Sequence, residues 1–175
     1  MLEVVVNRLS HMEDRIPLMV SERLVDVKES YRGKIVEVHG QFRSYNKHEE
    51  SRNRLILSVF VREFAFVGEE GTLTRPNSIY LDGYICKPPV YRMTPLGREI
   101  ADLLMAVNRP YGKSDYLPCI CWGRNARFAG KFEVGTHIHL WGRIQSRTYQ
   151  KRLEDDVVEK RTAYEISVNK IECVE

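Results

Sequence analysis

The strongest constraint on the fold is that the chain contains one segment twice. Residues 6–17 align without a gap on residues 107–118, at an offset of 101 residues. The match resumes at residues 37–40, which align on residues 139–142 after a shift of one residue. Because a repeat at a fixed separation marks a repeated structural unit, we predict a chain built from two related units.

The two copies are unequal in length. Residues 77–105 of the second copy have no counterpart before Met1 beyond a few residues, so we expect the first copy to lack its two opening strands. Residues 68–76 are rich in Gly, Glu and Thr and end in Pro, as a linker is. We therefore predict a partial unit over residues 1–72 and a complete unit over residues 77–175.

The complete unit has the element order of an OB-fold, a small Greek-key barrel. Alternation of apolar and polar residues predicts five strands, near residues 78–87, 99–109, 115–122, 136–148 and 162–171. Residues 125–132 can form one short helix, which follows the third strand. The predicted fold class is all-β: an OB-fold barrel preceded by a second, N-terminally incomplete OB-like unit. A small sandwich is the alternative, since strand number alone does not separate the two.

The composition is that of an ordinary globular protein, with 43% hydrophobic and 29% charged residues. Apolar runs are far shorter than the roughly 20 residues of a membrane helix, and the start lacks a signal-peptide pattern. We expect a cytoplasmic, nucleoid-associated protein without a membrane partner. The net charge of +3 is concentrated in residues 76–152, where 12 Lys and Arg face 5 Asp and Glu. Charge alone leaves nucleic-acid binding and a merely solvated surface equally open.

The repeat indicates which face of the third strand points outward. Leu117, Cys119 and Cys121 share one face, and their equivalents in the first copy are apolar, so this face belongs to the core. Tyr116 and Trp122 lie on the other face, where the first copy has polar residues. We therefore predict that these two aromatic side chains point to solvent.

The residue patterns of the sequence give little support for a metal site or a catalytic site. Two pairs, Cys119 with Cys121 and His137 with His139, raise the possibility of a Cys2His2 metal site, but the same argument places the cysteines and the histidines on opposite faces. We predict reduced thiols, surface histidines, no metal and no cofactor. Phosphate-binding glycine loops, nucleophile elbows and HExxH are absent from the sequence, and Asp155-Asp156 is typical of a solvated loop. The sequence predicts no enzyme and no catalytic residues.

Outward aromatic residues interleaved with cations favour a single-stranded nucleic acid as the ligand. Tyr and Trp stack on exposed bases, and Lys and Arg neutralise phosphates, with little dependence on base sequence. The cations of the predicted groove are Arg109, Lys113, Arg124, Arg143, Arg147 and Lys151, with Arg92 at its border. The alternative is that these aromatic residues cover a dimer interface.

Five short motifs carry a family resemblance. They are residues 77–83 (NSIYLDG), 92–97 (RMTPLG), 106–109 (AVNR), 122–124 (WGR) and 142–147 (GRIQSR). In this order and spacing the second copy resembles the bacterial single-stranded DNA-binding protein family. The resemblance implies an OB-fold that holds single-stranded DNA without catalysis, usually as a dimer or tetramer, in DNA replication, recombination or repair. It also implies base-stacking positions, which match Tyr111, Tyr116, Trp122 and Tyr149.

The sequence departs from that family in three respects: it has two units, no flexible Gly/Gln-rich extension and no acidic, Phe-terminated tip. These departures put tip-mediated recruitment of replication proteins in doubt. The chain is also similar to the small primosomal replication proteins, which are OB-fold dimers. The alternative function is an OB-fold protein-interaction or primosomal scaffold with weak or no nucleic-acid binding. For the first copy, which lacks most of the aromatic positions, we predict a scaffold or dimerisation role.

Overall fold

The computed structural model describes residues 1–49, 52–68, 76–153 and 155–175, and most of them lie in β-strands. The first unit contains four strands: β1 (Leu2–Asn7), β2 (Glu13–Met19), β3 (Val36–Glu49) and β4 (Arg52–Phe66). The second unit contains β5 (Ile79–Ile85), β6 (Val90–Met93), β7 (Glu99–Asn108), β8 (Ser114–Trp122), α1 (Gly123–Ala129), β9 (His137–Arg152) and β10 (Val158–Cys173). The linker predicted at residues 68–76 falls almost wholly on residues 69–75, outside the described part.

The second unit is a closed barrel with the predicted helix after its third long strand. Its strand order is β5-β9-β10-β8-β7-β6, and an additional pairing of β5 with β7 closes the sheet on itself. The predicted OB-fold is therefore confirmed in its element order. Sequence reasoning missed the short strand β6, because all four of its residues are exposed and show no alternation of apolar and polar side chains.

The first unit has the strand order β1-β2-β4-β3, the same as β7-β8-β10-β9 in the second unit. Each sheet contains one parallel contact, at Leu18 and Val59 in the first and at Cys119 and Ile166 in the second. Within the described residues the first sheet has no counterpart of β5 or β6. The first unit is thus an open OB-like sheet, as the repeat predicted.

The core lies where strand alternation placed it. Leu117, Cys121, Ile138 and Leu140 are fully buried. Burial raises the pKa of the Cys121 thiol to about 12, which keeps this side chain neutral as a small core residue. The buried cluster continues into the first unit, so one hydrophobic core holds both sheets together. Within the described chain no helix has both the length and the apolar character needed to cross a bilayer.

A reciprocal pair of hydrogen bonds joins the two units. The carboxylate of Asp14 accepts from the amide of Ser146 at 2.9 Å, and the carboxylate of Asp115 accepts from the amide of Ser44 at 2.9 Å. In return, each serine hydroxyl accepts from the amide of the residue that follows the aspartate, at 2.9 Å and 2.7 Å. Because the contacts in one direction mirror those in the other, the two units meet as the subunits of a two-fold dimer do.

Candidate nucleic-acid interface

A cleft of about 1190 Å³ lies between the β1–β2 hairpin of the first unit and the outer face of the second unit's sheet. Its floor includes Ile120 and Trp122 on β8, and Tyr164 on β10 lines one wall. The arginines that line it are Arg8, Arg15, Arg92, Arg98, Arg143 and Arg147, against the carboxylates of Glu3, Glu13, Asp102 and Glu165. The cleft is therefore a cationic groove with aromatic side chains in its lining, to which both units contribute.

Asp14 holds two of these arginines in place. Its carboxylate accepts from the Arg8 guanidinium at 2.6 Å and 2.9 Å, and Arg143 lies 3.4 Å away. Burial would raise the pKa of Asp14, but hydrogen bonds from Arg8 and the Ser146 amide, with the charge of Arg143, hold it below its usual range. Burial together with the charge of Arg8 lowers the pKa of Arg143. Asp14 thus fixes two cations at the junction of the units.

Trp122 lines the cleft with an aromatic ring that lies beneath the Arg98 guanidinium. The Arg98 guanidinium carbon lies 5.3 Å from the centre of the indole ring, in the range of a cation–π contact. Nearby, the Arg92 Nε atom lies 2.9 Å from an Asp102 carboxylate oxygen in a pair that is half-exposed. These contacts are on the surface, so a ligand can replace them at small cost.

A second groove, of about 510 Å³, adjoins the cleft. Tyr149 and Lys151 of β9 and Pro118 of β8 line it, together with residues of the first unit such as Ile56. Thr162 and Tyr164 line both cavities, so the two lie side by side along β10. The outer face of β8 therefore runs beneath both, with Trp122 in the cleft and Pro118 in the groove.

The structure brings six of the eleven predicted site residues into these two cavities. Trp122, Arg92, Arg143 and Arg147 line the cleft, and Tyr149 and Lys151 line the groove. The other five line neither cavity: Tyr111, Tyr116, Arg109, Lys113 and Arg124.

Among those five, Arg109 is engaged within the fold, because its Nε atom lies 3.0 Å from the buried carboxylate of Asp115. Tyr111 is fully exposed in a short turn with a φ of 70°, and Tyr116 is 42% exposed on β8.

On the outward face predicted for β8, the residues at the two ends reach solvent and a residue between them is buried. Tyr116 and Trp122 reach the surface, but Ile120 is only 4% exposed. Ile120 shares the face of Tyr116 and Trp122 but is buried, because it lies in mid-sheet between Asp102 of β7 and Ser167 of β10. Its side chain is crowded from both sides and forms part of the cleft floor.

The sequence analysis did not predict that residues of the first unit line the cleft. Arg8 and Arg15 belong to the copy for which only a scaffold role was expected, and Arg98 and Tyr164 lie outside the stretches that carried the aromatic argument. The repeat contained one usable signal, since Arg15 aligns with Tyr116 and Arg8 with Arg109. One cation present in both copies, and a second that takes the place of an aromatic residue, indicate that the first copy retains part of a binding surface.

Comparison with known proteins assigns the family. Residues 76–174 match the family model for the single-strand binding protein family. The chain belongs to this family. A relative named single-stranded DNA-binding protein 3, from Listeria innocua, is 32% identical over 81 residues, which cover 42% of this chain and 51% of that protein. Single-stranded DNA-binding protein A from Bacillus subtilis is 31% identical over 83 residues, or 43% of this chain and 48% of the relative. This family member thus spans about half the length of these curated relatives.

Solved structures extend the likeness over both units. The wild-type single-stranded DNA binding protein from Thermus aquaticus matches with a TM-score of 0.64 at 21% identity, over 93% of this chain and 70% of that one. A deletion mutant of the same protein matches with a TM-score of 0.68 at 19% identity, over 99% of this chain and 79% of that one. At this identity the likeness establishes the fold, and it confirms an OB-fold with a second OB-like unit for this family member.

Proposed function

We propose that this chain binds single-stranded DNA with little sequence specificity, in the cleft and the adjoining groove. The observation that carries the proposal is the cleft itself, which is lined by six arginines from both units and by the half-buried indole ring of Trp122, in a member of the single-strand binding protein family. Both curated relatives described above are named single-stranded DNA-binding proteins. The function is one of binding, without catalysis, in the replication, recombination or repair of DNA near the nucleoid.

In this mechanism the bases stack on the aromatic side chains, and the surface arginines bind the phosphates. Trp122 in the cleft and Tyr149 in the groove each offer a flat ring, and stacking is worth roughly 1–3 kcal/mol per base whatever the base is. The surface pairs of Arg15 with Glu3 and of Arg92 with Asp102 contribute at most about 1 kcal/mol each. A phosphate can therefore take the place of either carboxylate.

Arg8 and Arg143 act differently in this proposal. Both are tied to the buried carboxylate of Asp14, so they stay in place when DNA leaves. Two cations in a preset position lose little conformational freedom on binding, which favours affinity. Of the remaining predicted positions, Tyr111, Tyr116, Lys113 and Arg124 extend the surface along the second unit beyond the cleft, and Arg109 is held by Asp115.

Titration of a fluorescent oligonucleotide at several salt concentrations tests the proposal. We expect the indole emission to be quenched on binding, and log affinity to fall linearly with log salt by about 0.7 for each phosphate neutralised. Oligonucleotides of unrelated sequence should bind with similar affinity. Absence of binding at low salt would overturn the proposal in favour of an OB-fold scaffold for other proteins.

We also propose that the chain forms a homo-oligomer, a dimer or tetramer, and that replication proteins are among its further partners. β1 and β3 are edge strands of an open sheet, and apolar side chains such as Phe60 and Phe66 are half-exposed on the same unit. Sheet edges and apolar surface of this kind favour association. Light scattering coupled to size exclusion should give at least twice the chain mass of 20.5 kDa, and a strict monomer would contradict this proposal.

A further inference from the structure

Three side chains with metal-binding atoms converge on the outer face of the second barrel, on a part of it that lines neither of the two cavities. Asp82 lies on β5, and His137 and His139 lie on β9. In the antiparallel register Asp82 is directly opposite His139, so both side chains stand on the same face. His137 is two residues further along β9 and therefore shares that face.

The ligand atoms already point at one another. The Nε2 atom of His137 lies 2.5 Å from Oδ1 of Asp82, and the Nε2 atom of His139 lies 3.3 Å from Oδ2. All three ligand atoms lie within 4.8 Å of one another. Ligands of a tetrahedral zinc ion, bound at about 2.0–2.1 Å, are roughly 3.3 Å apart, so small side-chain movements suffice to enclose an ion.

We propose that Asp82, His137 and His139 bind a divalent transition-metal ion of the zinc class. Two imidazole nitrogens and one carboxylate form a ligand set that favours zinc-class ions. Magnesium and calcium bind mainly oxygen ligands, so this set suits them less. Three protein ligands leave at least one coordination position for water. The imidazole rings are about 30% exposed, so an ion reaches them directly from solvent.

The surrounding aromatic side chains hold the two imidazole rings in orientation. Tyr84 stacks on His137, with ring centres 4.6 Å apart and planes at 21°. His139 is in edge contact with Tyr80 at 5.7 Å and with Trp141 at 6.5 Å. Rings held in place by packing lose less freedom when the ion binds, and an apolar rim strengthens the attraction between cation and carboxylate.

The site belongs to the complete unit alone. The repeat aligns Glu37 with His139, and within the described residues the first sheet has no strand that corresponds to β5. The described part of the first unit has in its place the exposed pair of His39 Nε2 with Glu37 Oε1 at 3.0 Å. We therefore expect one ion per chain, and the His39–Glu37 pair provides a matched control.

The test is titration of the chelator-treated full chain with zinc chloride by calorimetry and with cobalt chloride by visible absorption. We expect one ion per chain, with a cobalt spectrum of nitrogen and oxygen ligation. Asp82→Asn and His139→Ala should each weaken the affinity at least about tenfold, since each removes a ligand. His39→Ala should leave affinity and stoichiometry unchanged.

Two results would overturn the inference: uptake of less than one zinc or cobalt ion per unmodified chain at micromolar protein, or equal weakening by His39→Ala and His139→Ala. The measurement on the unmodified chain does not depend on how the variants fold. Because it is made without DNA, it also succeeds or fails independently of single-stranded DNA binding.

Discussion

Trp122 is the aromatic side chain on which the base stacking proposed for the cleft depends most directly. It lies at the end of β8, where the strand leaves the core, so its ring is half-buried on one side and faces the cleft on the other. Arg98 covers the ring from a loop position and can move aside. A half-buried ring of this kind is held in position for a base without losing its accessible face.

We predict that Trp122→Ala lowers the affinity for single-stranded DNA by roughly 5- to 150-fold, the equivalent of one lost stacking contact of about 1–3 kcal/mol. The aligned position of the first unit provides the control, since Ser21→Ala removes only a small exposed side chain. Oligonucleotide titration of both variants, after circular dichroism has shown that they fold, checks the prediction. Equal losses in the two variants would contradict it.

Asp14 is the residue at which cleft and fold are coupled. Its carboxylate is buried and accepts hydrogen bonds from Arg8 and from the Ser146 amide. The first bond positions an arginine of the cleft, and the second joins the two units. The pKa of this carboxyl in the folded protein lies below its usual value of 3.8. The stability that the ionised group contributes is complete above that value, and it is lost as the pH falls through the folded-state pKa.

We predict that Asp14→Asn lowers the free energy of unfolding at pH 7 by about 1.5–3 kcal/mol, the usual contribution of a hydrogen-bonded charge. The difference from the unmodified chain should shrink below pH 3.8, because the carboxyl is then protonated in the unfolded chain before it is protonated in the folded protein. Urea unfolding at pH 7 and at pH 3 measures both quantities. A difference of the same size at the two pH values would exclude this role for Asp14.

A long strand of each unit carries a glycine at a shift in strand register. Gly40 in β3 and Gly142 in β9 are aligned by the repeat, and a break in strand register occurs at each place. A Cβ atom at Gly40 would overlap the carbonyl oxygen of Phe60, and one at Gly142 would overlap that of Ser167. Close approach of two backbones therefore requires glycine here.

We predict that Gly142→Ala destabilises the fold by about 1–3 kcal/mol, because the new methyl group must displace backbone atoms. Gly68→Ala is the matched control, since a Cβ atom at Gly68 meets open space, and its effect should stay within about 0.5 kcal/mol. Thermal or urea unfolding compares the two variants. A stable Gly142→Ala protein with unchanged unfolding would show that the bulge can move.

The molecule as a whole is arranged as an internal pseudo-dimer. Asp14 with Ser146 and Asp115 with Ser44 form the same contact in opposite directions, and a common hydrophobic core continues through the junction. The open first unit is in this way stabilised by the closed second one. We expect the two units to unfold together, in a single transition.

We predict that the double variant Asp14→Ala and Asp115→Ala uncouples the units. Each substitution leaves a backbone amide at the junction without its carboxylate partner, and we expect a cost of roughly 2–4 kcal/mol for each. Calorimetry should then show two transitions or one markedly broadened transition in place of one sharp transition. The exposed Asp155→Ala is the control, and a single sharp transition in the double variant would disprove the coupling.

Much of the fold followed from local patterns. The alternation in β8 and β9 correctly predicted the buried residues Leu117, Cys121, Ile138 and Leu140, because side-chain period and burial are linked directly in a strand. The short strand β6 was missed, since an exposed strand has no such period. The burial of Ile120 on the outward face was not predicted, because crowding in mid-sheet depends on two neighbouring strands that are distant in sequence.

The sequence alone determined that two related β-units occur, which faces form the core, and which aromatic and basic residues the second unit carries, since all of these are properties of neighbouring residues or of an alignment. The folded molecule alone revealed that the cleft is shared between the units and that Asp14 anchors its arginines. It also revealed that Asp82 meets two histidines of another strand. Apart from the pair of Arg8 with Asp14, such contacts join residues more than 50 positions apart, and their formation depends on register, twist and docking, which no local pattern encodes.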